Sequence, residues 1–184
     1  TTVTYTATDE VGNQTVCAFS VFVPNTTGLV TNNFDSGSGS LRQAVADACP
    51  GDTISFAPGM NGATIILTSG EIAIDKNLTI DATDITAIAI NGNNSSRIFN
   101  VSDISATVQM HNLTMINGQV TGSEEGGAIL NIGDLALYRC TFFQNSSAEA
   151  GGAISSKGGS LSLLECIVDD NDAGFNWGGG IYVE

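Results

Sequence analysis

Gly126-Gly127-Ala128-Ile129 returns as Gly151-Gly152-Ala153-Ile154, and returns again as Gly179-Gly180-Ile181, where a further glycine opens the copy. Between these marks the same interval recurs. Leu135-Ala136-Leu137 is followed 26 residues later by Leu161-Ser162-Leu163, and Cys140, Phe142 and Asn145 by Cys166, Val168 and Asn171. Fainter copies lie upstream at Val108, Met110, Leu113, Met115 and Asn117, and at Ile72, Ile74, Leu78 and Ile80. Within each copy the apolar residues alternate, as in Leu-x-Leu and Cys-x-Phe, which is the period of a strand with one buried face. Two or three short strands per repeat of about 26 residues, with no helix-length segment, describe one coil of a solenoid. Stacked coils set each residue over its counterpart about 4.8 Å away, so Ile129, Ile154 and Ile181 form a ladder, as do Leu135 with Leu161 and Cys140 with Cys166. The glycine pairs let the backbone turn between sheets where a Cβ would clash. Asn145 and Asn171 take the next corner, with their amides bonding along the stack or to turn backbone. The Leu-x-x-Leu-x-Leu frame of a leucine-rich repeat is missing.

Working outward, Ser38 to Gly51 breaks the strand pattern. Leu41, Ala44, Val45 and Ala48 fall at helical spacing between a serine start and a Pro50-Gly51 stop. A solenoid must cover its open core and unpaired strand edge, and residues 38–51 are read as a capping helix that does both, leaving about five coils in 52–184. Further upstream, residues 1–23 are two alternating strands around an Asp9-x-x-Gly12-Asn13 turn, a hairpin signal, and residues 24–37 read as a linker. A lone hairpin is marginal in water, so it either completes a sandwich or packs against the cap. The fold class expected is all-β: a right-handed parallel β-helix with a short N-terminal capping helix and a preceding hairpin from an immunoglobulin-like sandwich. The first residues already read as a strand and the last begin a unit they do not finish. The chain therefore reads as an internal fragment whose targeting signals lie outside it.

Composition narrows the function. Five basic residues against 19 acidic ones give a net charge of −14, a poor match for phosphate and so for nucleic acid. No run of about 18 apolar residues offers membrane insertion in this segment. Polysaccharide lyases and hydrolases built on β-helices need carboxylates converging from neighbouring coils, with calcium and a basic residue in the lyases. The acids that cluster, Asp169, Asp170 and Asp172, stand over Phe143, Gln144 and Ser146 one coil back. A solvated acidic loop is favoured over a calcium site, and calcium stays as the weaker alternative to no cofactor. Arg139 and Glu165 share a repeat position and are expected to pair across coils as surface decoration. His111 sits beside core positions, facing outward, without a second histidine or a matching acid. Cys140 and Cys166 share a core ladder within disulfide reach, but stacked parallel side chains suit the bridge dihedral poorly, which favours free thiols. Cys49 ends the cap helix with no evident partner, and no Cys/His spacing marks zinc. No catalytic, cofactor or metal residue is assigned. An ice- or crystal-binding face would need one outward residue type in every coil, and positions 136, 162, 141 and 167 hold Ala, Ser, Thr and Ile.

The candidate ligand contacts are Phe175 and Trp177 in the loop Ala173-Gly174-Phe175-Asn176-Trp177. The glycine corners are 25 residues apart at the first interval and 28 at the second, so about three residues are inserted there. Insertions in solenoids map to loops, often on the binding face, where Trp and Phe can stack on sugar or anchor a partner. The competing reading is packing against a further coil.

Gly126-Gly127-Ala128-Ile129 with Phe142-Phe143-Gln144-Asn145 resembles the paired GGAI and FxxN signature of polymorphic outer-membrane proteins, β-helical bacterial surface proteins associated with adhesion. The run Ser40-Leu41-Arg42-Gln43-Ala44-Val45 through Pro50-Gly51-Asp52-Thr53-Ile54 resembles the entry segment of the wider pectin-lyase-like group. The first 23 residues are similar to the last hairpin of a hyalin-repeat domain, which implies that Cys17 pairs with a cysteine upstream of the chain. These resemblances imply a non-catalytic module of a large secreted adhesin at the bacterial cell surface, a rigid spacer or display rod. Extracellular glycans, surface proteins and adjacent domains of the same chain are the implied partners. The alternative is a carbohydrate-active β-helix enzyme whose catalytic coils lie outside residues 1–184.

Overall fold

Alternation with period two puts every second side chain on one side of a strand, and this chain spends that side on a shared interior. The structure, a computed structural model, describes residues 2–20, 28–174 and 177–184. Strands β1 (Thr2–Thr8) and β2 (Gln14–Ser20) form an antiparallel hairpin. Its turn is built by Asp9, whose carboxylate accepts the Val11 and Asn13 backbone N–H groups at 3.0 and 2.8 Å, while Gly12 supplies φ +91°. The described parts of the segment read as linker include a strand, β3 (Leu29–Val30), which pairs parallel with the first coil. Two residues are too short for alternation to reveal; their partner strand defines them.

The helix follows as α1 (Leu41–Asp47), shorter than the 38–51 reading. Ser40 caps it, its hydroxyl accepting the Gln43 N–H at 3.2 Å. Leu41, Ala44 and Val45 are buried in the end of the core. Lys76 reaches back to the carbonyls of Val45 and Ala48 at 3.4 and 3.2 Å, a cation at the helix C-terminus. The expected cap thus divides its tasks. The helix covers the core, and β3 covers part of the first strand edge.

Five coils follow, each with three main strands, and the last two add a short fourth. The first holds β4 (Asp52–Phe56), β5 (Ala63–Ile66) and β6 (Ile72–Ile74). The second holds β7 (Leu78–Asp81), β8 (Ile88–Asn91) and β9 (Phe99–Val101). The third holds β10 (Thr107–His111), β11 (Thr114–Ile116) and β12 (Ile129–Asn131). The fourth contains β13 (Asp134–Tyr138), β14 (Thr141–Phe143), the short β15 (Ser146–Ser147) and β16 (Ile154–Ser156). The fifth repeats that plan as β17 (Leu161–Leu164), β18 (Ile167–Asp169), β19 (Asp172–Ala173) and β20 (Ile181–Val183). Equivalent strands pair in parallel to make three long sheets running the length of the stack. The result is a right-handed parallel β-helix, the hand that parallel crossovers take.

Its interior is a set of ladders. Ile65, Ile90, Met115, Phe142 and Val168 stack in one sheet. Ile72, Phe99, Ile129, Ile154 and Ile181 stack in another. Leu135 lies over Leu161 as the repeat requires. One inward ladder turns polar: Asn131 and Ser156 are buried above Ile74 and Val101, and Asn131 donates to the Ser156 hydroxyl at 2.9 Å.

The corners carry the remaining specification. Gly126 and Gly151 have φ +67° and +62°, and a Cβ on either would sit 2.1 Å from a backbone oxygen, of Ile129 and Ile154 respectively. Asn145 is buried; its side-chain oxygen accepts the Gly118 N–H at 2.8 Å, and its amide donates to Met115 O and to Asn171 Oδ1 at 3.0 and 2.9 Å. The asparagine ladder therefore ends on Gly118, one residue beyond Asn117, whose own counterpart is Gln144. At the corner between the first two sheets, Asn112, Arg139 and Glu165 all take φ between 52° and 58°.

Gly151→Ala is expected to lower unfolding free energy by at least about 2 kcal/mol, combining left-handed strain with the carbonyl clash. Gly122→Ala, at φ +73° with open space around it, should cost only the strain of about 1 kcal/mol. Urea unfolding of the two variants tests the difference.

Candidate binding surface

The outward side chains of successive coils do not repeat. On the first sheet one outward column reads Ser55, Asp81, His111, Tyr138, Leu164. On the second, one reads Thr64, Ala89, Thr114, Thr141, Ile167, and its neighbour Ile66, Asn91, Ile116, Phe143, Asp169. His111 stands over Asp81 and under Tyr138, with the two rings 5.9 Å apart and tilted by 52°. Asp169 lies over Phe143 and Asp172 over Ser146, while Gln144 donates to Asp170 at 3.1 Å. These three acids therefore stand above a ring, an amide and a hydroxyl, and the alignment brings no carboxylate of the preceding coil beneath them.

Charge is organised more tightly than the sequence indicates. All five basic side chains are paired. Arg42 meets Asp35 at 2.7 Å, Lys76 meets Asp75 at 3.8 Å, and Arg97 meets Glu71 and Glu124 at 2.5 and 3.3 Å. Arg139 meets Glu165 at 2.7 Å, as their shared repeat position predicts, and its guanidinium also lies 4.7 Å from the centre of the Tyr138 ring. Lys157 meets Glu125 at 2.8 Å, a hydrogen bond that raises the lysine pKa and keeps it charged. No cation among the described residues stands alone to receive an anionic ligand.

Arg97 is the buried member of this set, 5% exposed. Besides its two carboxylates it donates to the carbonyls of Glu125 and Gly126 at 2.9 and 3.0 Å. It thereby ties down residues 117–128, the longest connection between the second and third sheets. A line of charge joins Arg97 through Glu71 to Arg42, which donates to the Glu71 carbonyl at 2.7 Å, and Asp35 anchors its other end. Partial desolvation pushes its pKa up, but hydrogen bonds from Ser69, Arg42 and Thr68 outweigh it and hold the group at about 2.

The thiols of Cys49, Cys140 and Cys166 are free. Cys140 is buried and donates to Met110 O at 3.4 Å, Cys166 donates to Leu137 O at 3.5 Å, and Cys49 is exposed. Burial raises the Cys140 thiol to about 11, which holds it protonated and unreactive.

Of the two aromatic residues singled out in the sequence, Phe175 lies outside the described residues. Trp177 is 62% exposed and bridges to Ala150 of the coil below. Ser147 pairs with Ala173 and Ala150 with Trp177, so one residue is inserted between these rungs where the glycine spacing implied three. The larger insertion is residues 117–128. Trp177 meets the Tyr182 ring nearly edge-on, with centroids 6.3 Å apart and planes at 84°. Together with Glu125, Glu149 and Ala150 they line a notch of about 140 Å³. Glu125 closes one wall, bonded to Ser155 Oγ at 2.7 Å and to Lys157. Among the described residues Glu149 has no hydrogen-bond or ion-pair partner.

Residues 139–157 match the family model for the Chlamydia polymorphic membrane protein repeat. The match runs from the Arg139 corner through Cys140, Phe142 and Asn145 to the second glycine corner and Lys157. No curated protein matches the chain. Repeat and stacked coils together make this a polymorphic-membrane-protein-like β-helix, which fits a surface-protein module.

Two outcomes follow from the charge line. Arg97→Ala leaves Glu71 with the Asn100 amide alone and two carbonyls without their donor, and is expected to cost about 1–3 kcal/mol in chemical unfolding. The depressed Asp35 pKa contributes stability that is present above the unfolded value near 3.8 and lost as pH falls through about 2. Asp35→Asn should remove about 2 kcal/mol at neutral pH and flatten the decline of melting temperature between pH 4 and 2.

Proposed function

We propose that the chain is a non-catalytic module of a large secreted cell-surface adhesin, a rigid rod that displays loops toward extracellular glycans or surface proteins. The observation that carries this reading is the contrast between inside and outside. Inward ladders repeat through five coils, while outward columns change residue type at nearly every rung. A scaffold needs the first and leaves the second free to vary. The match to a polymorphic membrane protein repeat supports a place at the cell surface. The hairpin of β1 and β2 reads as the end of a hyalin-repeat-like sandwich, one of a string of modules ahead of the rod.

The second reading, a carbohydrate-active enzyme with its catalytic coils elsewhere in the protein, has less to stand on. Lyase chemistry on polyuronates wants a cation beside its carboxylates, and each basic side chain here is already engaged by an acid of its own chain.

The full-length protein should be cleaved by protease added to intact cells, and purified module should compete with those cells for attachment to host or abiotic surfaces. New reducing ends or unsaturated products from pectin incubated with the full-length protein would replace the adhesin reading with the enzymatic one.

A further inference from the structure

We infer that the notch between Trp177 and Tyr182 is a binding site for an amino sugar carrying a free ammonium group. The inference rests on the reading of the rod as a display module and names what one of its surfaces holds.

Two columns of the stack meet there. Glu125, Ala150 and Trp177 each precede a glycine corner, and the Gly126 and Gly151 N–H groups donate to Ala150 O and Trp177 O, both at 3.1 Å. Ala150 thus occupies the rung between Glu125 and Trp177 in this column, and its small side chain leaves room for the notch that all three line. Beside it run Leu130, Ser155 and Tyr182, outward residues of the third sheet. The perpendicular Trp177 and Tyr182 rings form an L-shaped shelf. Such a shelf suits a pyranose, whose C–H face stacks on one ring while its edge meets the other. At about 140 Å³, well under the roughly 300 Å³ of a drug-sized pocket, it takes one residue-sized group rather than a long segment.

Charge selects among sugars. Glu125 is already neutralised by Lys157, whereas Glu149 is not paired among the described residues. An aromatic face with an adjoining unpaired carboxylate attracts an ammonium by cation–π and ion-pair terms together. It repels a uronate, for which the charge of −14 and the engaged basic residues offer no counter-ion. A lysine side chain carries the same ammonium but has no C–H face to lay on the indole, so the flat shelf favours the sugar.

The test is titration calorimetry of the intact chain with a glucosamine hexamer, its N-acetylated counterpart, an oligogalacturonate and an oligolysine peptide of similar charge. Binding of the glucosamine hexamer is expected at least about tenfold tighter than binding of the acetylated one. Trp177→Ala should weaken it about tenfold or more, and Glu149→Gln should remove the preference for the free amine while leaving stacking intact. Circular dichroism of each variant establishes that the β-helix persists, and tryptophan emission of the parent chain reports ligand at Trp177 directly. Equal binding of both hexamers, an unchanged emission spectrum, insensitivity to Trp177→Ala, or equal affinity for oligolysine would each overturn the assignment. Loss of the assignment would leave cell attachment by the rod untouched, whereas failure of the rod reading would show in the whole-cell assays alone.

Discussion

Every other feature of this molecule depends on one register: the hydrogen bonds that hold each coil directly above the last. Parallel pairing in register lets each strand between two coils match its backbone donors and acceptors to the coils on either side. It also forces identical environments on equivalent positions, which is why Ile129, Ile154 and Ile181 share a ladder. Corners follow from the same constraint. A turn that drifted by one residue would exchange the inward and outward faces of every later strand, so the turns are made of residues able to take the conformation and fit the space that each corner imposes. Gly126, Gly151 and the asparagine pair Asn145 and Asn171 are such residues.

The parts of the fold that were legible from sequence are those in which register and alternation coincide. Leu135-x-Leu137 over Leu161-x-Leu163 declares strand, face and repeat length in a single comparison. Strand β3 was illegible because Leu29 and Val30 carry no alternation of their own. The aligned asparagines invited Asn117 into their ladder, whereas the pairing places Gly118 there, a residue with no side chain to signal its role. Spacing between glycine corners also overstated the insertion at 174–176, since the third corner begins one glycine earlier than its Gly-Gly-Ile copy.

Less of the candidate site could be read. Trp177 stood out as an aromatic residue at a break in the repeat. Its companions Tyr182, Glu149 and Glu125 could not be grouped with it, because they come from three coils and are joined by stacking rather than by sequence. Arg97 explains part of the gap. A single basic residue in an unremarkable segment turns out to be buried among two carboxylates and two carbonyls, where it fixes the connection that delivers Glu125. The acids that looked most like a site, Asp169, Asp170 and Asp172, are adjacent in sequence and lie over non-acidic neighbours.

The coil-by-coil pairing has a mechanical meaning. Tension applied between the two ends of the stack runs along the axis and parallel to the inter-coil hydrogen bonds, so it opens them one coil at a time rather than shearing whole sheets. Each released coil of about 26 residues extends to roughly 85 Å, at about 3.3 Å per residue, from a rise of about 4.8 Å. A cell held to a surface through such a chain would meet a sudden pull with stepwise lengthening, and the coils left folded would keep their outward loops in place.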